Sequence, residues 1–178
     1  MDENRLAKGL IQIYTGEGKG KTTSALGLAL WAIGQGLKVY VVQFLKGRIT
    51  GESQAAARLS PDLTLRFFGR PGFIKARSAT PEDLALAREG WSLACRVIAA
   101  GEHDLVILDE INRVLAHGLI PLAEVLETLR RRPPSVGLVL TGRQAPPELV
   151  ALADLVTEMV PVKHYYKAGV PARRGIEW

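Results

Sequence analysis

Cysteine is almost missing from this chain. Cys95 stands alone among 178 residues, which excludes an intrachain disulfide and any zinc or iron–sulfur centre built on several thiolates, and fits a reducing compartment. Histidine is nearly as scarce. His103, His117 and His164 are scattered with no cysteine beside them, so no zinc site is expected. Long hydrophobic runs are lacking too. The longest apolar stretch, Ser24 to Phe44, is broken by Gly34, Gln35, Gly36 and Lys38, and no segment reaches the ~20 apolar residues of a membrane span. The opening MDENRLAKGL has no apolar core behind a basic head, unlike a signal peptide. The expectation is a soluble, cytoplasmic protein that engages no membrane. The chain also lacks internal repeats, low-complexity linkers and the aromatic–basic interleaving of single-strand binders, so no nucleic-acid partner is expected.

What is present is ordinary for a folded domain. Hydrophobic residues make up 47% and charged residues 23% of the chain. A length of 178 residues suits a single domain over 1–178. Lys and Arg number 23 against 18 Asp and Glu, a net charge of +5. Such a balance permits an anionic partner without choosing among nucleic acid, nucleotide and acidic metabolite.

Short apolar runs alternate with amphipathic stretches. Leu10–Tyr14, Lys38–Phe44, Leu63–Phe68, Asp104–Leu108 and Val136–Thr141 read as strands, and Leu155–Val162 as a weaker sixth. Helical patterns cover Thr23–Gln35, Thr80–Ala100 and Pro121–Arg132. The second opens on Thr-Pro-Glu-Asp, an N-cap, an N1 proline and an acidic first turn. Its expected core face is Leu84, Ala87, Trp91, Ala94, Cys95 and Ile98. Strand–helix alternation predicts an α/β fold with a mainly parallel sheet of about six strands and helices on both faces. Lys46–Gly51, Phe68–Ala79 and the tail from Lys163 read as irregular.

The chemistry lies after the first strand. Thr15-Gly-Glu-Gly-Lys-Gly-Lys-Thr-Thr23 joins a strand to a helix, the setting of a phosphate-binding loop. Gly16, Gly18 and Gly20 let the backbone curl so that N–H groups converge on an anion, and the helix adds its positive end. Lys21 supplies a point charge, and the Thr22 hydroxyl can ligate magnesium. The spacing from Gly16 to Thr22 is GxxxGKT, one residue short of the usual loop. A shorter loop should hold a phosphate chain differently, which hints at chemistry other than γ-phosphoryl transfer. At the end of the fourth strand Asp109 and Glu110 follow Leu108. Ligands of open α/β sheets bind at the strands' carboxyl ends, so this pair should face the loop, Asp109 partnering magnesium directly or through water and Glu110 as an outer group or general base.

The run Gly16-Glu-Gly-Lys-Gly-Lys-Thr-Thr23 resembles the short phosphate loop of the ATP:corrinoid adenosyltransferases of the CobA/BtuR type. The likeness continues through Phe44-Leu-Lys-Gly47, Gly51-Glu52, Leu108-Asp-Glu110, Thr141-Gly-Arg143, Pro161-Val-Lys-His164, Ala168-Gly-Val170 and Gly175-Ile-Glu-Trp178. The resemblance implies a RecA-like P-loop fold, a homodimer, and transfer of the 5′-deoxyadenosyl group of ATP to the cobalt of a reduced corrinoid, with tripolyphosphate leaving from a reversed nucleotide. It implies magnesium, ATP as co-substrate and a corrinoid as substrate. Nucleotide binding would then rest on Gly16, Glu17, Gly18, Lys19, Gly20, Lys21, Thr22 and Thr23, with Arg143 and His164. The metal set would be Thr22, Asp109 and Glu110, and the catalytic set Lys21, Thr22 and Glu110. Phe73 resembles an aromatic the family uses near the corrin. Members often carry Gly-Phe-Thr-Trp there, whereas this chain has Gly72-Phe-Ile-Lys75. Reduction to Co(I) would need an external donor such as a flavoprotein reductase, since the chain has one cysteine and no flavin fingerprint.

Other features read as structural. His103 and His117 read as turn residues, Trp31 and Trp91 as core, and Arg130, Arg131 and Arg132 as cations suiting a helix C-terminus. A RecA-like ATPase acting on nucleic acid and a non-catalytic binding protein are the alternatives to the transferase.

Overall fold

The computed structural model describes residues 5–47, 49–70 and 79–176. Six strands, β1 (Ile11–Thr15), β2 (Val39–Phe44), β3 (Leu63–Phe68), β4 (Leu105–Asp109), β5 (Gly137–Thr141) and β6 (Leu155–Glu158), form one sheet in the order β3-β2-β4-β5-β1-β6. Every neighbouring pair is parallel. The expected α/β architecture is present.

Strand periodicity sends alternate side chains to opposite faces. Tyr40, Val42, Phe44, Val106, Leu108, Leu138 and Leu140 fill one core layer. Against it pack α3 (Pro81–Ala100), α4 (Ile111–Ala116), α5 (Leu122–Arg131) and α6 (Pro147–Leu152). Val39, Val41, Leu105, Ile107 and Val139 fill the other, beneath Ala25, Ala29 and Ala32 of α1 (Lys21–Gly34) and Ala56 of α2 (Gly51–Arg58). The small alanines let α1 approach the sheet closely, which fixes where its N-terminus points.

The α3 helix begins as its sequence dictates. The Thr80 side chain accepts from the Asp83 N–H, and the Asp83 carboxylate accepts from the Thr80 N–H, a reciprocal capping box. Gly101 ends the helix at φ 63°.

Several expectations are corrected. Trp31 is 80% exposed: the buried stripe of α1 is Ala25, Ala29 and Ala32, leaving Leu30 and Trp31 outward. Leu84 is exposed and Cys95 only half-buried, because Asp83 and Gly90 take part of the inner face of α3. The sixth strand stops at Glu158, since its pairing with β1 ends where β1 gives way to the phosphate loop. Helices α2, α4 and α6 were not expected from the pattern; each is eight residues or fewer, too short for helical periodicity to register. Trp91 is core as expected. Phe73, Lys75 and Trp178 lie outside the described residues. No helix among those described is long and apolar enough to cross a membrane.

Candidate functional site

The register of the sheet builds the site. Val41, Ile107 and Val139 lie side by side on the face that α1 covers. Two residues further along, the same face presents Gln43, Asp109 and Thr141. The apolar layer thus ends in a polar one at the carboxyl ends of β2, β4 and β5, directly under the start of α1. Asp109 is 1% exposed and its carboxylate is fully engaged. Oδ1 accepts from the Thr22 hydroxyl at 2.8 Å and the Thr141 hydroxyl at 2.6 Å. Oδ2 accepts from Gln43 Nε2 at 3.1 Å and Lys46 Nζ at 3.2 Å. Thr22 therefore joins the loop to β4 across the intervening β5.

The loop itself is bent by its glycines. Gly16 has φ 90° and Gly20 φ 122°, values that L side chains rarely adopt. A Cβ on Gly18 would sit 2.7 Å from the Met159 carbonyl oxygen, and the Gly18 N–H donates to that same oxygen. The loop is thereby braced on the chain leaving β6. Lys21 lies within it, its ammonium donating to the carbonyls of Gly16 at 2.7 Å and Gly18 at 2.6 Å. Burial, followed by the nearby Arg143 guanidinium, pulls its pKa down.

Glu110 takes a left-handed backbone conformation, φ 65°, held by its N–H donating to Thr141 Oγ1 at 2.9 Å. Its side chain is largely buried, and Oε2 has no hydrogen-bond partner; the nearest guanidinium, Arg113, stands 3.9 Å away. Burial and then the Asp109 charge raise its pKa. A buried carboxylate oxygen without a hydrogen-bond donor, in the cavity that Thr22 also lines, suits a cation. Among the described residues no three His, Cys, Asp or Glu side chains cluster as a metal cage.

These residues open onto a cavity of about 890 Å³. Glu17, Gly18, Lys19, Gly20, Lys21, Thr22 and Thr23 form one wall, and Lys46, Glu52, Glu110, Arg113 and Arg143 a charged rim. Leu26, Gly27 and Leu30 of α1 supply an apolar wall, and His164, Tyr165, Gly175 and Ile176 of the tail a fourth. Asp109 and Gly16 sit behind this lining. Arg143, carried past β5 by Gly142 at φ 124°, reaches Glu17 at 2.7 Å. His164 caps a short 3₁₀ turn, Tyr165–Ala168, its Nδ1 accepting from the Tyr166 N–H. Lys19 donates to the Tyr165 hydroxyl at 2.7 Å. Apart from Phe73, all the candidate residues named from sequence converge here. Sequence reasoning assigned no role to Gln43, Lys46, Glu52, Arg113 or Tyr165. Gln43, the one polar residue in the otherwise apolar strand VYVVQF, was the available signal.

A family model described as ATP:corrinoid adenosyltransferase BtuR/CobO/CobP matches residues 7–178. The corrinoid adenosyltransferase of Pseudomonas aeruginosa is 40% identical over 172 residues, 96% of this chain and 84% of that protein. The corrinoid adenosyltransferase of Escherichia coli K12 is 40% identical over 171 residues, 96% of this chain and 86% of that one. In fold, the chain is similar to the RadB recombinase, with a TM-score of 0.56 and 18% identity over 89% of this chain and 78% of that one. The likeness to RadB identifies a RecA-like P-loop architecture.

Proposed function

The chain belongs to the ATP:corrinoid adenosyltransferase family, and from that membership we propose how its residues carry the 5′-deoxyadenosyl group of ATP to the Co(I) of a reduced corrinoid, with tripolyphosphate as the leaving group. The observation that carries this reading is the shortened loop closed on Lys21 and joined through Thr22 to Asp109. It is a cradle for a polyphosphate whose reacting end lies away from the loop.

Co(I) is the nucleophile and attacks the ribose 5′-carbon. The C–O bond to the triphosphate breaks, and its electron pair stays on the departing oxygen. Nothing has to be deprotonated, so no general base is required. The work of the protein is to stabilise charge growing on the leaving group with donors already in place. Lys21, Lys19, Arg143 and the loop N–H groups are those donors. Magnesium would be held by Thr22 and phosphate oxygens, with the Asp109 carboxylate behind Thr22 and that of Glu110 as its negatively charged partners. When bound it supplies Lewis-acid charge neutralisation.

The second requirement is an in-line approach of cobalt to the carbon, which needs a broad, partly apolar platform. Leu26, Gly27 and Leu30 offer one in the same cavity, with Trp31 beyond them. The reading includes an external electron donor, because the lone Cys95 cannot cycle as an intrachain dithiol. It also includes a homodimer, for which the exposed Val160, Val162 and Tyr166 offer apolar surface.

The test is to incubate the protein with ATP, magnesium and chemically reduced cobalamin, and to identify both products. Tripolyphosphate with a light-sensitive cobalt–carbon bond is expected. Orthophosphate release without alkylation of cobalt would overturn the reading.

A further inference from the structure

Lys46 is the charged donor on Asp109, and the mechanism above gives it no task. Its position is tightly set. The preceding Leu45 has φ 58°, and a Cβ on Gly47 would sit 2.1 Å from the Gly69 carbonyl oxygen. A Cβ on Gly69 would sit 2.4 Å from the Lys46 nitrogen. The two loops therefore cross backbone against backbone and aim the Lys46 side chain into the cavity. There its ammonium bridges Asp109 Oδ2 at 3.2 Å and Glu52 Oε1 at 3.1 Å. Burial opposes its charge, but the two carboxylates outweigh it and its pKa is raised.

Asp109 has no acceptor position to spare, since each oxygen already takes two donors. A divalent cation reaching this carboxylate must displace or repel one of them. Thr141 is fully buried and Gln43 is 1% exposed, whereas Lys46 is 26% exposed at its side chain and lines the cavity. Lys46 is also the positively charged one, so a second cation near Oδ2 repels it directly. Swinging out, it would meet the phosphate oxygens of a nucleotide in the same cavity and regain charge-assisted bonds.

We propose that Lys46 is an exchangeable counter-cation: it neutralises the Asp109–Glu52 pair in the nucleotide-free protein, and passes to the polyphosphate when a divalent cation takes its place. This rests on reading the cavity as a magnesium–ATP site. It makes metal and nucleotide bind cooperatively, because each removes an obstacle to the other.

The test replaces Lys46 with methionine, similar in length and uncharged, and needs no corrinoid. Manganese alone is titrated into nucleotide-free protein, with free ion followed by electron paramagnetic resonance. ATP in EDTA is titrated separately by calorimetry. In K46M manganese alone should bind about tenfold tighter, because a competing cation is gone, while metal-free ATP should bind about tenfold weaker. The opposite signs are the signature. Weakening of both would mean that Lys46 only anchors α2 through Glu52, and unchanged manganese affinity would make it a plain phosphate ligand. Either result overturns the exchange. If K46M does not fold, K46Q must show the same pair of opposite shifts. Failure of wild-type protein to alkylate cobalt, with these titrations as expected, would sink the transferase reading and leave the exchange standing.

Discussion

At the scale of single residues, Lys21 performs two tasks that one substitution separates. It braces the loop through the Gly16 and Gly18 carbonyls, and it is the cation that a phosphate chain would draw away from them. Two partly buried bonds are worth about 1 kcal/mol each to stability, so Lys21→Ala should lower Tm by only a few degrees. Loss of a preorganised donor should cost about 100- to 1000-fold in turnover. A variant with normal rates would remove Lys21 from the chemistry. Thr141 is the opposite case, placing others without facing the cavity. Its hydroxyl donates to Asp109 and accepts from the Glu110 N–H. Thr141→Val keeps the shape but strands a buried N–H, which costs about 1–3 kcal/mol; Thr141→Ser should recover both Tm in a thermal melt and rate in the alkylation assay. These two residues also show what a sequence can disclose. Lys21, Thr22, Asp109 and Glu110 were legible because local motifs carry them. The functions of Thr141, Gln43 and Lys46 were not, because their shared partner, Asp109, lies 32 to 66 residues away and meets them only through the packing of the strands.

At the scale of elements, the start of α3 and the platform on α1 carry separate predictions. Asp83 caps α3 and is gripped by Arg70, whose Nε and Nη2 reach its oxygens at 2.8 and 2.7 Å. The hydrogen bonds from Arg70, against the opposing effect of burial, hold the Asp83 carboxyl well below its ordinary 3.8. For a depressed carboxylate the stabilisation is complete above the unfolded pKa, and it is lost as pH falls from there through the folded one. The stability gap between wild type and Asp83→Asn should therefore be widest near neutral pH and close progressively below about pH 4. Urea denaturation across that range reads it, and a gap independent of pH would show that shape, not charge, is what Asp83 contributes. On α1, helical spacing alone placed Trp31 in the core. It failed because an alanine stripe, not the large residues, faces the sheet. What is exposed is a ledge of Leu30 and Trp31 beside Gly27. If that ledge seats the corrin, Leu30→Asp should raise the corrinoid KM about tenfold or more, while the KM for ATP stays near wild type. Equal rises in both would assign the ledge to the nucleotide.

At the scale of the whole molecule, the chain divides into a sheet with its helices, which holds all of the buried core, and a carboxyl-terminal run laid across the cavity. Strand–helix alternation made the first part legible, because period-2 and helical patterns are imposed by burial itself. The local structure of the run after β6 was not legible by the same logic, since none of its described residues is buried and nothing constrains a repeating pattern; His164 was found there through motif likeness alone. Its contacts nonetheless meet the phosphate loop. The Tyr165 hydroxyl and the Ile176 carbonyl accept from Lys19 at 2.7 and 3.3 Å, and Arg173 stands 5.0 Å over the Tyr165 ring. Met159, which supports Gly16 and Gly18, lies upstream of these contacts. Truncation after Lys163 should therefore leave the loop's backing and the core intact, lowering Tm by only a few degrees. The same truncation strips one wall from the cavity and removes the Tyr165 and Ile176 partners of Lys19, so ATP should bind about tenfold more weakly. Calorimetry with ATP and a thermal melt on the same preparation separate the two effects. A truncated protein that melts many degrees lower would make the run part of the folding unit, and one that binds ATP as tightly as the full chain would deny it any share in the site.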